Sequence, residues 1–107
     1  MAKSTVTIQT WSHSEAPTEA AIRQQLEAEG LSYYAWGNGP GDVYAAHTHA
    51  YHKVIYVVQG AITFGLPAEG KQVQLKPGDR MDLPAGIRHD AVVGPEGVLC
   101  LEGHRYN

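Results

Sequence analysis

A single cysteine, Cys100, is the only thiol in 107 residues. No internal disulfide can form, and a reducing, cytoplasmic setting is expected. Runs of one charge are also missing: 8 Lys and Arg stand against 11 Asp and Glu, a net charge of −3. Without a basic patch, nucleic acid is not an expected partner. No segment approaches the ~20 apolar residues that span a bilayer. Met1 to Thr5 leads into alternating residues with no apolar signal-peptide core, so no membrane partner is expected either. Repeats, low-complexity tracts and linkers are absent. What is present, 43% apolar and 18% charged residues, describes one ordered domain, residues 1–107, with a modest core.

Helical signals are confined to Ser14 to Gly30. Pro17 and Thr18 suit a first turn, Glu15 and Glu19 favour the positive end of the dipole, and Gly30 is a natural stop. Its apolar stripe, Ala21, Ile22, Leu26 and Ala28, is wide enough to lie against a sheet. Before it, Thr5 to Trp11 reads as an edge strand able to pair with its own domain or a second chain. After it come short candidate strands at Leu31 to Trp36, Val54 to Val58, Ala61 to Leu66, Lys71 to Leu75, Arg80 to Leu83, Arg88 to Val93 and Val98 to Glu102. Glycine and proline turns separate them, including Gly94-Pro95-Glu96-Gly97. Eight or nine such strands predict a small all-β barrel or jelly roll. Gly103 to Asn107 reads as a loose tail, with His104 and the isolated His13 solvated.

The segment Gly41 to Gly60 carries the chemistry. In an extended chain successive side chains alternate faces. His47 and His49 therefore point the same way, with Val43, Ala45, Tyr51, Lys53, Ile55 and Val57. Paired imidazoles suggest a metal site, although H-x-H alone fits structural histidines equally well. The opposite face, Tyr44, Val54, Tyr56 and Val58, is apolar enough to need covering. A partner copy is the expected cover, with Trp11 adding to it.

Gly41, His47, His49 and Gly60 meet the first motif of the cupin superfamily, G-x5-H-x-H-x3-E-x6-G, at every spacing. Gly78, Pro84, Gly86 and His89 meet its second, G-x5-P-x-G-x2-H-x3-N. The chain thus resembles the small, single-domain cupins. The resemblance implies an all-β double-stranded β-helix (a jelly-roll barrel, about residues 31–103) preceded by one short N-terminal strand and helix, about residues 5–30. It also implies that His47, His49 and His89 converge on a divalent transition metal (Fe, Ni, Zn, Mn or Cu), and that the chain pairs as a homodimer.

Two positions depart from the motifs: the family's glutamate is Lys53 and its last asparagine is Val93. A like charge beside a dication costs about 4 kcal/mol per unit pair at ~4 Å and an effective dielectric of ~20. Lys53 must snorkel to solvent, pair with an acid or lose its proton. Three-histidine sites without the acid do occur among cupins, as in the cysteine dioxygenase group. His52 replaces the acid only if a bulge turns it inward. Val93, Met81, Leu83 and Cys100 read as core. Three functions stay open: an oxygenase-, isomerase- or lyase-type enzyme on a small organic molecule, with Lys53 as a candidate catalytic group; a small-ligand binder; or a degenerate scaffold.

Overall fold

The computed structural model describes residues 5–106. In chain order the elements are β1 (Thr7–Gln9), α1 (Glu19–Ala28), β2 (Tyr33–Asn38), β3 (Val43–His47), β4 (His52–Leu66), β5 (Lys71–Leu75), β6 (Arg80–Leu83) and β7 (His89–Arg105). All strand pairs are antiparallel.

Two long strands organise the rest. The first half of β4 pairs with β6 and with the second half of β7; its second half pairs with β5 and with the first half of β7. β7 also takes β2 along residues 98–103 and β3 along 89–92. Two sheets thus share the same two bent strands, a double-stranded β-helix. β1 closes the edge against β6 within its own chain.

Among the described residues this corrects the strand count from eight or nine to seven. Gly60 and Gly94-Pro95-Glu96-Gly97 bend strands rather than end them. Gly60 (φ 76°) crosses Gly97 (φ 80°) so closely that a Cβ on Gly60 would lie 2.0 Å from the Gly97 carbonyl oxygen. Only glycine permits that approach and that backbone. The register shifts beside Gln59 and Gly60 also change the alternation. Lys53, Ile55 and Val57 face in before the bend; Ile62, Phe64 and Leu66 face in after it.

Between the sheets lies a core of Ile55, Val57, Ile62, Phe64, Leu66, Leu75, Met81, Leu83, Ala91, Val93, Val98 and Cys100, all buried. Val93 therefore fills core where the family has asparagine. Gln72 and Gln74 face solvent and Leu75 faces in, as alternation requires.

The outer face of β4 has a cover the alternation did not reveal. Val54, Tyr56 and Val58 pack under α1, against Ile22, Leu26 and Leu101, with Trp11, Leu31, Tyr33 and Leu99 around them. That surface is therefore not available to a second copy. Ile22 and Leu26 are fully buried, each contributing about 1.5–3 kcal/mol by transfer from water. α1 starts later than the sequence suggested, because Thr18 Oγ1 accepts the Ala21 N–H at 3.2 Å and caps it. Arg23 pairs with Glu19 one turn back at 2.6 Å. Among the described residues no helix is long and apolar enough to cross a membrane.

Candidate functional site

β3 and β7 set His47 directly opposite His89, and the turn after β3 returns His49 to the same side. One ring nitrogen from each lies within 4.8 Å of the others. The three histidines picked from the motifs are therefore brought together. Alternation fails just before them: the ladder shifts between Tyr44 and His47, so Tyr44 lines the cavity while Val43 is 71% exposed. Tyr44 was expected on the opposite face; the bulge reverses it. His52 keeps its expected outward direction, with Nε2 3.3 Å from Asp82 Oδ2, and is not part of the cluster.

Hydrogen bonds assign the ring protons. His47 Nδ1 lies 2.7 Å from the Ala45 carbonyl and His89 Nδ1 lies 2.9 Å from that of Ile87. A carbonyl only accepts, so both Nδ1 atoms carry hydrogen and both Nε2 atoms present lone pairs. His89 is 2% exposed, and its Nε2 has no partner among the described residues. Lys53 Nζ donates to His49 Nε2 at 3.1 Å, leaving that atom an acceptor too. His47 Nε2 and His49 Nε2 nevertheless approach to 3.0 Å. Two such lone pairs repel unless a cation or a proton lies between them. The donor set and the buried, unpartnered nitrogen both fit a divalent metal.

Burial, reinforced by the charges of Lys53, His47 and His89, pushes His49 down to about 4. Burial likewise lowers His89, against its bond to Ile87. Neutral imidazole is the ligating form.

Lys53 does not snorkel. It is 8% exposed and pairs at 3.7 Å with Glu102 Oε2, the acid that ends the candidate strand Val98 to Glu102 and that the sequence did not connect to the site. Glu102, itself 3% exposed, accepts from Tyr34 Oη at 2.9 Å, Trp36 Nε1 at 2.8 Å and His104 Nε2 at 2.5 Å. An acid in phase with Val98 and Cys100 on an apolar strand was the available signal, because buried carboxylates require donors. Burial lowers the Lys53 pKa, and Glu102 opposes that shift. The Tyr34 hydroxyl is raised by burial and by the same carboxylate.

His104 is also corrected. The C-terminal segment continues β7, and His104 stacks on Tyr51 with centroids 3.9 Å apart, while Tyr51 stacks on His49 at 4.8 Å. His13 is exposed, as expected. Asn107 lies outside the described residues. The three clustered histidines, Lys53, Tyr51 and Glu102 border a cavity of about 450 Å³, with Trp36, Tyr44, Ile55, Ile62, Phe64 and Ala91 as its apolar lining.

Solved structures of similar shape carry the comparison further. A chain from the structures of the DMSP lyases RdDddP and RnDddQII is 28% identical, with a TM-score of 0.64 over 70% of this chain and 38% of that one. The polyketide cyclase RemF from Streptomyces resistomycificus is 25% identical, with a TM-score of 0.62 over 69% of this chain and 54% of that one. KdgF from Halomonas sp. is 26% identical, with a TM-score of 0.57 over 95% of this chain and 81% of that one. The matched part is thus about half or less of the lyase and cyclase chains. No curated protein matches the sequence. The family model described as "Cupin domain" matches residues 38–104, which span β3 to β7 and all three histidines. With that match and the double-stranded β-helix, the chain belongs to the cupin domain family.

Proposed function

We propose that His47, His49 and His89 hold a divalent transition metal, and that the chain acts with it on a small organic molecule in the adjoining cavity. The observation carrying this reading is His89 Nε2, buried and unpartnered beside two other ring nitrogens that present lone pairs. A bound dication supplies Lewis acidity and open coordination positions, the requirement for oxygenase-, isomerase- or lyase-type chemistry. The backbone carbonyls of Ala45 and Ile87 orient two of the ligands, and Tyr51 stacks against the third. The aromatic lining excludes water from the ligand's body. Relatives described as a lyase and a cyclase, both acting on small molecules, support the same class.

Elemental analysis of protein purified without added metal tests the reading. Near-stoichiometric metal is expected in wild type and is lost in His47→Ala and His89→Ala. Wild type and variants equally empty after incubation with excess iron, nickel, zinc or manganese would overturn it.

The same reading has the chain acting as a single domain in a reducing cytoplasm and pairing as a homodimer. With the outer face of β4 taken by α1, the pairing needs another surface. Val43 and Val92, cross-strand partners 71% and 48% exposed, supply apolar area for it. Light scattering that shows only a monomer at micromolar concentration would refute the dimer.

A further inference from the structure

Lys53 has capacity that its neighbours leave unfilled. An ammonium offers three N–H donors. Among the described residues it makes one hydrogen bond, to His49 Nε2, and one long ion pair, to Glu102 at 3.7 Å. Glu102 is already engaged by Tyr34, Trp36 and His104 at 2.9, 2.8 and 2.5 Å, so Lys53 is its most distant donor. A metal on His49 Nε2 would take away the one short bond Lys53 has.

We propose that Lys53 is the anion anchor of the cavity, and that the ligand is a small organic carboxylate with an apolar, unsaturated body. The carboxylate takes the Lys53 N–H donors that His49 and Glu102 leave unfilled, at the position where the family's own acid is missing. The rings of Trp36, Tyr44 and Phe64, which line the same cavity, take the body. Glu102 is a positioning residue: it keeps Lys53 inside the cavity and competes with the ligand for its charge. This inference rests on the ligand cavity of the proposed function, but not on metal uptake.

The test is calorimetric titration of benzoate and its neutral isostere benzamide into chelator-treated and zinc-loaded protein. Thermal unfolding checks that each variant is folded. Metal-free wild type is expected to prefer benzoate by about tenfold or more, the value of a hydrogen bond to a charged group. Lys53→Met removes that preference, so that benzoate binds no better than benzamide; Lys53→Gln serves the same purpose if the Met variant does not fold. Lys53→Arg retains the preference. Glu102→Gln raises benzoate affinity, since no carboxylate then competes for the ammonium. Equal binding of the two probes, no benzoate binding at all, or a preference that survives Lys53→Met overturns the assignment. A preference seen only with zinc also overturns it, because the metal alone would then hold the anion. Absence of bound metal with the preference intact overturns the metal reading and leaves this one standing.

Discussion

Lys53 and Arg80 are each 8% exposed, and their side chains leave opposite faces of the β4–β6 sheet. Their surroundings differ in one respect, how many donors are in use. Arg80 fills all five: Nε to Asp82, Nη1 to Glu29 and Tyr56, Nη2 to Glu29 and Asp82. Arg105 reinforces Glu29 at 3.1 Å, and Arg80 lies over the Tyr56 ring. The result ties the end of α1 to the sheet, and nothing remains for a ligand. Lys53 makes one short bond inside a cavity. Burial alone therefore does not distinguish the two cations; the donors left unfilled beside the cavity do.

Removing each cation is the most forceful way to break that contrast. Arg80→Met leaves Glu29 to Arg105 and Asp82 to His52, and is expected to cost about 3 kcal/mol in urea unfolding. Lys53→Met is expected to cost only about 1 kcal/mol, because Glu102 keeps three other donors. Equal losses would show that both clusters are structural.

A change of sign at Lys53 has the next largest effect. Lys53→Glu supplies the family's acid and removes a like charge, so zinc affinity in a chelator competition should rise by more than about 1.4 kcal/mol, a factor of ten. Without metal, the new carboxylate faces Glu102, so the metal-free variant should unfold at lower temperature than wild type. Unchanged zinc affinity would place position 53 outside the metal's reach.

Acid separates the two regions more gently. Hydrogen bonds from Arg80 hold Glu29 below the ordinary carboxylate range, and hold Asp82 below it against burial. Burial opposes the Arg80 charge, but the same partners keep its pKa raised. A carboxylate depressed in the folded state contributes stability that is complete above its unfolded pKa of about 4 and is lost as pH falls through the lower folded value. Unfolding free energy should therefore fall below about pH 4, and Arg80→Met should flatten that acid limb. An unaltered limb in the variant would assign it to other acids.

The smallest expected effect is at Cys100. Burial pushes its thiol up to about 12, and it is 0% exposed. It should stay unmodified by a disulfide reagent in native protein and react at once in urea. Rapid native reaction would mean that the sheet interior beside Lys53 opens readily.

Much of the site was legible because its signals are local. His47 and His49 lie two apart, His89 follows a spaced turn, and His52 points outward by simple alternation. Alternation failed where an extra residue enters a ladder. Tyr44 crossed to the cavity side that way, and the phase of β4 and β7 changes at their bends. Turn residues misled for a related reason: Gly60 and Gly97 carry turn chemistry but serve a crossing of two strands. His104 lies past the last apolar alternation, so nothing near it showed that Tyr51 and Glu102 would hold it in β7.

The sequence by itself determined the all-β pattern and, through its resemblance to the cupin motifs, the three histidines and the anomaly of a lysine where the motif has an acid, because motif spacing and strand period are properties of neighbouring residues. Only the tertiary structure decided what Lys53 does about its charge and what covers the outer face of β4. Both depend on pairing between distant segments. Glu102 reaches Lys53 because β7 sets it opposite Ile55, in a register established only after the bends. α1 covers Val54, Tyr56 and Val58 because its two buried residues, Ile22 and Leu26, pack on that face within the same chain. Alternation shows that a face must be covered; packing alone selects the cover.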